Sequence, residues 1–317
     1  MKKLIETIQN IFKIEELRNR LLTTFLFVVI YRLGSYIVLP GVNVQVLQEL
    51  GSSANSGLMM LLDMFSGGAF SNASVFALGI MPYITASIVV QLLGMAIPYF
   101  QKLQREGESG RRKMDQITRY LTVLLLLFQG PAYLLSLKYQ VGPALPEGNF
   151  FMITSTLILA AGSMFVLWLG ERITDKGIGN GVSFIILVGI IARFPRSLMG
   201  EFMSRLNEST GGLVMFLAEI VFLLLVIAAS ILLVQGTRKV PVQYAKRIVG
   251  NQQYGGVRQY IPLKVNAAGV MPIIFAQALM LIPTSLSGFF ASDGNVSNFA
   301  LAFMDVNGFW YNFVFFI

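Results

Sequence analysis

Long apolar runs, each about the length of a membrane-spanning helix, recur along the chain. A bilayer core of roughly 30 Å is crossed by about 20 apolar residues in a helix. On that measure the pattern predicts seven spans and the start of an eighth near residue 308. The predicted spans are residues 21–39, 75–97, 117–137, 150–170, 181–199, 213–234 and 266–286. The chain stops inside the last apolar run, so we expect it to be part of a longer protein.

Two segments outside the spans are also apolar. Residues 1–20 mix apolar with basic positions, which predicts a cytoplasmic helix lying on the membrane surface. Residues 41–74 contain no lysine or arginine, and the helical pattern at 58–65 is too short to cross a bilayer. That short helix is expected either to re-enter and pack within protein or to lie on the surface. The glycines that follow, Gly67 and Gly68, predict a flexible joint.

A second kind of pattern, alternation of apolar and polar residues, appears within residues 235–265. Val240, Val242 and Tyr244 alternate with polar residues, Asn251 supplies a turn residue, and Tyr260 resumes the alternation. This predicts a β-hairpin outside the membrane. It leads directly into the seventh span, which is interrupted by polar, glycine and proline residues.

Charge gives the orientation of the spans. Nineteen of the 24 lysine and arginine residues fall in the N-terminal segment and in the loops after spans two, four and six, if Arg119 at the start of span three is counted with the loop before it. The positive-inside rule therefore places the N-terminus and these loops in the cytoplasm. Binding of lipid headgroups by the same loops is a compatible alternative. Arg32 falls inside span one, where a guanidinium group must be paired, hydrated or extended toward the interface.

Composition removes several function classes. The hydrophobic fraction is 55%, the charged fraction 13% and the mean hydropathy +0.68, so the chain is a multispanning membrane protein. Histidine and cysteine are absent, and Glu219 is the only clear acid inside a predicted span. We therefore expect no enzyme, cofactor or metal site. Two classes that remain are an ion-coupled secondary transporter, because spans two and seven contain helix-breaking residues, and a scaffold without a conduit.

Aliphatic residues recur at helical spacing beside glycine or proline in three spans. They are Ile80, Ile84, Val182, Ile186 and Ile274. Such residues usually just pack in membrane helices, but a ring of them seals a channel by excluding water. In span two, Pro82 is expected to break the helical ladder and to turn that helix toward other helices or a cavity.

Long strings in the sequence closely resemble one family. They are FSGGAFSNASVFALGIMPYITASIVVQLL, REGESGRRK, QITRY, WLGERITDKGIGNGVS, VPVQYAKR and IPLKVNAAGVMPIIFA. In this order they resemble the SecY family, the bacterial protein-conducting channels of the general secretion pathway. The resemblance implies an all-α polytopic fold with two inverted halves, the second one truncated. Residues 21–199 would form the first half, with a plug helix near 57–73, and residues 213–317 the second half, with a cytoplasmic loop at 235–265.

The resemblance also implies a function and partners. A channel of this family moves unfolded secretory polypeptides across the bacterial plasma membrane and releases transmembrane segments sideways into lipid. Its implied partners are SecE, SecG, the SecA motor ATPase, the ribosome, signal sequences of preproteins and membrane lipids. Contact with nucleic acid would be limited to ribosomal RNA, and no cofactor is implied.

Roles for single residues follow from the same resemblance. The hydrophobic constriction would comprise Ile80, Ile84, Val182, Ile186 and Ile274. The plug would include Leu58, Leu61, Leu62, Phe65, Ser66, Gly67, Gly68 and Phe70. Polar positions of a lateral gate between spans two and seven would be Thr85, Gln91 and Asn266. Basic residues contacting the motor or ribosome would be Arg238, Lys239, Lys246, Arg247 and Arg258.

Overall fold

A computed structural model of the chain describes most of its first two thirds and part of the remainder. The described residues are 13–43, 63, 66–141, 146, 148–207, 212–243, 247–249, 252–254, 258–266, 269, 276, 308–309 and 312–313. The helices are α1 (Glu15–Gly34), α2 (Met81–Ala96), α3 (Pro98–Arg105), α4 (Glu108–Val141), α5 (Asn149–Lys176), α6 (Gly181–Asn207) and α7 (Gly212–Gln235). The strands are β1 (Thr237–Gln243), β2 (Arg247–Val249), β3 (Gln252–Tyr254) and β4 (Arg258–Lys264).

Among the described residues, α4, α5, α6 and α7 are long and apolar enough to cross a membrane. Helices α2 and α3 make a fifth such element if the pair is counted as one span, and they are bent by 100° at Ile97. Helix α1 is apolar in its middle and charged at both ends, with Glu15 and Glu16 in the first turn and Arg32 in the last. The chain is thus a multi-pass membrane protein.

The chain divides into two compact units. One comprises Met1–Pro195 with Phe275–Ile317, and the other comprises Arg196–Ile274. In the first unit α2 packs against α4, α4 against α5, and α1 against α5. Two apolar clusters hold this unit together. The Tyr133 cluster contains Leu39, Ala73, Ala77, Tyr133, Leu134, Leu137 and Leu159. The Tyr31 cluster contains Tyr31, Ala69, Phe76, Ile80, Val166, Leu169, Ile173 and Ile185.

The second predicted span differs from the structure at its start. Residues 66–80 form turns and the helix begins only at Met81, whereas a span at 75–97 was predicted. The helix starts late because Gly79 has a φ of +53°, which is not a right-handed helical conformation and which glycine adopts without strain. Pro82 therefore lies in the first turn of α2, where its missing N–H removes no helical bond. The prediction that Pro82 breaks the ladder of this helix was wrong.

Other boundaries shift by several residues. Helix α1 spans 15–34 rather than 21–39, and α5 and α6 continue six to eight residues past the predicted ends of their spans. The charge-rich stretch after span two is helical as α3 and the start of α4, with a turn only at Glu106 and Gly107. Hydropathy locates the part of a helix inside the lipid, and the helices extend beyond it into water.

The predicted hairpin is confirmed. Strands β1 and β4 pair antiparallel from Thr237 with Lys264 to Gln243 with Arg258, and β2 pairs with β3 further out. We call these four strands, residues 237–264, the ribbon. Val265 N donates to Gly236 O at 3.0 Å, which sets the alternation of hydrogen-bonded pairs along the ribbon. By that alternation Pro241 and Pro262 occupy non-hydrogen-bonded positions. Neither proline removes a hydrogen bond between the strands. Because proline has no N–H, each also leaves one donor fewer on the outer edge of its strand.

Candidate functional site

Four of the five residues predicted for the constriction lie together in the first unit. Ile80 is buried in the Tyr31 cluster, and Ile84, Val182 and Ile186 pack against that cluster half-buried. Ile80 and Ile84 are one helical turn apart, because Ile84 N donates to Ile80 O at 3.1 Å. Ile274 lies outside the described residues.

Helix α6 starts beside this cluster, and a side-chain cap fixes its first turn. Asn180 Oδ1 accepts a hydrogen bond from Ser183 N at 3.2 Å, the usual way an asparagine starts a helix. Gly170 on α5 leaves room for the first turn, since a methyl group there would lie 3.3 Å from Val182 Cγ2. The start of α6 and its close contact with Gly170 therefore place Val182 and Ile186 against the cluster.

The same face of α6 continues beyond the residues predicted for the constriction. Positions 182, 186, 189 and 193 follow the helical repeat, so they lie along one stripe of the helix. The turn at Gly67 and Gly68 packs on the far part of this stripe. A methyl group on Gly67 would lie 3.0 Å from the Cα of Gly189, and one on Gly68 would lie 2.9 Å from Arg193 Nε. Both glycines have positive φ, so glycine meets both the conformational and the steric demand.

The predicted joint at residues 66–70 is indeed made of turns, and the structure adds that these turns are largely buried. Tyr31 donates its hydroxyl hydrogen to Ser66 O at 3.4 Å, and Tyr133 donates to Phe70 O at 2.7 Å. The rings of Phe70 and Tyr133 lie 4.7 Å apart. Of the predicted plug residues, Ser66, Gly67, Gly68 and Phe70 are thus held by helices α1 and α4. Leu58, Leu61, Leu62 and Phe65 lie outside the described residues.

Arg32, the cation predicted inside span one, is paired with the same turn. Its Nη1 donates to Gly67 O at 2.8 Å, and its Nη2 donates to Tyr36 Oη at 3.2 Å. The guanidinium carbon also lies 5.1 Å from the centroid of the Tyr36 ring. Of the options open for Arg32, pairing within the protein is the one observed.

Sequence reasoning missed a buried acid beside this turn. Asp63 ion-pairs with Arg193 of α6, and its side chain is only 9% exposed. Arg193 Nη2 donates to Ser71 Oγ at 2.7 Å, and Ser71 N donates to Asp63 Oδ1 at 2.8 Å. The available signal was an acid in residues 41–74, a stretch that contains Glu49 and Asp63 but no lysine or arginine. Its partner lies 130 positions further along the chain.

The three residues predicted for the lateral gate have different surroundings. Thr85 is buried in the first unit, and its hydroxyl donates to Met81 O at 3.1 Å within α2. Gln91 is exposed on α2, and its Nε2 donates to Ser87 Oγ at 3.4 Å. Asn266 belongs to the second unit, where its Oδ1 accepts from Gly269 N at 2.9 Å. Their role as gate residues stays a prediction.

The basic residues predicted for partner contact lie on the ribbon of the second unit. Arg238 and Lys239 are consecutive on β1, so their side chains lie on opposite faces. Both are exposed. Arg247 and Arg258 open strands β2 and β4, and Lys246 lies outside the described residues.

Glu219, the acid predicted inside a span, is paired. Arg205 Nη2 donates to Glu219 Oε1 at 2.7 Å, and Arg205 Nε donates to Glu201 Oε1 at 2.9 Å, which joins α6 to α7 within the second unit. Within the described part of the chain no group of three or more acidic, histidine or cysteine residues has an arrangement that could hold a metal ion.

Comparison with known proteins identifies the family. The SecY family model matches residues 74–317. The SecY protein translocase subunit of Halalkalibacterium halodurans is 42% identical over 310 residues, which cover 95% of this chain and 71% of that protein. The subunit of Streptomyces coelicolor is 43% identical over 88% of this chain and 66% of its own length, and that of Aquifex aeolicus is 41% identical over 90% and 67%. The chain therefore spans about two thirds of the length of these relatives.

Solved structures with the same fold are protein-conducting channels. One covers 86% of this chain with a TM-score of 0.56 at 17% identity, and the matched part is 59% of that channel. The Sec61 channel from a canine ribosome-channel complex covers 86% with a TM-score of 0.55 at 16% identity, matched over 60% of its length. The helical SecY-type fold predicted from the sequence is thus confirmed, and the chain belongs to the SecY family.

Proposed function

We propose that this chain forms part of the pore of a channel that moves unfolded secretory polypeptides across a membrane and releases transmembrane segments sideways into lipid. The observation that carries the proposal is the meeting of Ile80, Ile84, Val182 and Ile186 in one apolar cluster. A narrow aliphatic constriction excludes water and ions, yet it yields to a polypeptide that brings its own apolar surface.

The turn at residues 66–71 supports a closed resting channel. It packs on the stripe of α6 that continues from Val182 and Ile186, against Gly189 and Arg193. In one SecY structure of this fold, the plug domain is described as stabilising the closed state and maintaining a membrane seal. We propose the same role here for the segment that includes Ser66–Phe70, and a gate role for Thr85, Gln91 and Asn266.

Orientation and partners follow from charge. We propose that the N-terminus and the ribbon face the cytoplasm of a bacterial cell, since lysine and arginine are concentrated in the N-terminal segment and in the loops after spans two, four and six. The ribbon would then receive the SecA motor or the ribosome, and SecE and SecG would complete the channel. The exposed Arg238 and Lys239 provide positive charge for a phosphate-rich or acidic partner.

The test is a crosslink from a translocating chain. A photoreactive residue replaces Ile84 or Ile186 in the complete channel, reconstituted in vesicles with its motor, and a preprotein is arrested halfway. Both positions should crosslink to the preprotein. Ile191 is the matched control, because it lies on the same helix as Ile186 and is 53% exposed. Crosslinks from Ile191 but not from Ile186 would contradict the proposed pore.

The same vesicles separate a channel from the alternative transporter. A transporter would accumulate a small solute along an ion gradient without the motor, whereas a channel takes up preprotein only with it. The pairing of Asp63 with Arg193 and of Glu219 with Arg205 favours the channel, because these carboxylates are engaged in ion pairs. Solute accumulation without preprotein uptake would overturn the proposal.

A further inference from the structure

Three residues beside the proposed pore form a closed hydrogen-bonded network. Arg193 ion-pairs with Asp63 through Nη1 and Oδ2, and it donates through Nη2 to Ser71 Oγ at 2.7 Å. Ser71 N donates to the other carboxylate oxygen of Asp63 at 2.8 Å. Each member thus contacts the other two, and both oxygens of the carboxylate are used. The network connects α6 to Asp63 and to Ser71, the last residue of the turn at residues 66–71.

Burial makes this network expensive to open. The Asp63 side chain is 9% exposed and that of Arg193 is 43% exposed. A carboxylate inside a membrane protein is tolerated where it is paired, and removing one partner leaves a buried charge uncompensated. Moving the turn away from α6 separates the pair and exposes Asp63 without its counter-ion. The free energy of that step depends on Asp63 and Arg193.

The position of the network along α6 relates it to the constriction. Arg193 follows Ile186 by seven residues, so it lies on the same face and about 10 Å further along the helix axis. Gly189 lies between them and contacts the turn at Gly67. A polypeptide passing the constriction along this face must displace the turn from Gly189 and Arg193. The network therefore holds the turn at residues 66–71 next to the proposed constriction.

We propose that Asp63 and Arg193 are specificity-determining residues, which set how hydrophobic a signal segment must be to open the channel. The proposal rests on the function proposed above. A segment entering the channel supplies free energy in proportion to its apolar surface. Separating Asp63 from Arg193 costs free energy. A segment displaces the turn only if burial of its apolar surface supplies more free energy than this cost. Weakening the pair lowers this requirement and admits less hydrophobic segments.

The first measurement needs no substrate. Hydrogen exchange of the amides at residues 66–71 is followed in the complete resting channel for Asp63→Asn, Arg193→Gln and the double variant. Arg193→Gln should speed exchange by roughly tenfold or more, because it leaves the buried carboxylate of Asp63 without its counter-ion. Asp63→Asn should also speed exchange, but by less, because the Arg193 that it leaves is 43% exposed. The double change should add little to either single change, as expected for residues that act as a pair. Arg193→Lys keeps the charge and should retain part of the protection.

The control for this series is Arg196→Gln, which removes an exposed arginine three residues further along α6. It should leave exchange at residues 66–71 unchanged. Unchanged exchange in Asp63→Asn and Arg193→Gln, or acceleration by Arg196→Gln to the same degree, would overturn the proposed pair.

The second measurement is uptake of two preproteins, one with its natural signal and one with a signal weakened by two polar substitutions. Asp63→Asn and Arg193→Gln should raise uptake of the weakened preprotein several-fold and leave that of the natural one unchanged. Faster exchange with an unchanged uptake ratio would overturn the specificity role while the channel function stands. Uptake of neither preprotein by the unsubstituted channel would instead overturn the channel function, and with it the selection of signals.

Discussion

At Gly162, in the middle of α5, the carbonyl oxygen of Val75 occupies the space that a methyl group would need. Gly162→Ala must push the backbone before α2 away, and we expect it to lower the free energy of unfolding by about 1–3 kcal/mol. Gly200 is the matched control, a helical glycine of α6 with no atom within 4 Å of the added carbon. Gly200→Ala should be neutral or stabilising by up to about 1 kcal/mol. Thermal unfolding of the detergent-purified protein, followed by loss of the monodisperse peak, measures both.

A second prediction at this scale concerns the seal. Ile186 lies half-buried among the constriction residues, so Ile186→Asn places an amide in the apolar cluster and attracts water. Ion leak through resting channels in vesicles should rise several-fold. Ile191→Asn makes the same change on the exposed side of α6 and should leave the leak unchanged. Equal leaks in the two variants would place the conduction path elsewhere.

The ribbon formed by β1 and β4 carries its charges unequally on two faces. Lys239 and Lys264 are diagonal neighbours on one face, because Thr237 pairs with Lys264 and Lys239 with Pro262. Arg238 lies on the other face, beside Leu263. Lys239→Glu and Lys264→Glu should each weaken binding of the complete channel to ribosomes by about fivefold, from roughly 1 kcal/mol per exposed ion pair. The loss should shrink at high salt.

Arg238→Glu compares the two faces, since Arg238 is the proposed contact residue of the other face and its replacement leaves Lys239 and Lys264 in place. It should have a smaller effect in the same titration. A loss of binding equal to that of Lys239→Glu would show that the partner does not distinguish the two faces, and that only the net charge of the ribbon matters.

How far the sequence predicts these elements depends on the range of the forces involved. Alternation at Val240 and Val242 was enough to predict the ribbon, because strand periodicity is local. Hydropathy was not enough to separate the turns at 75–80 from α2, since both are apolar and the positive φ of Gly79 delays the start of the helix to Met81. The pairing of Asp63 with Arg193 depends on tertiary packing across 130 positions, and no local pattern records it.

At the scale of the whole molecule, helical spacing and family resemblance select four aliphatic residues that the structure brings together, Ile80, Ile84, Val182 and Ile186, because an aliphatic stripe is visible in the sequence. Their role as a constriction stays a prediction, and the contacts that hold the turn at residues 66–71 were not predicted. The turn is held by backbone oxygens of Ser66, Gly67 and Phe70, which accept hydrogen bonds from Tyr31, Arg32 and Tyr133. Backbone acceptors carry no residue signature, so a sequence cannot show which side chain will use them.

The orientation of the spans is testable because the chain has no cysteine. Single cysteines at Glu106, between α3 and α4, and at Lys264, at the base of the ribbon, should be protected from a membrane-impermeant thiol reagent in intact cells. A cysteine at Asn149, the first residue of α5, should be labelled at once from outside. All three positions are outside the apolar parts of the helices, and in the described part of the chain α4 is the helix between Glu106 and Asn149. Labelling of Glu106→Cys from outside with protection of Asn149→Cys would invert the orientation, and the ribbon could then not meet a cytoplasmic motor.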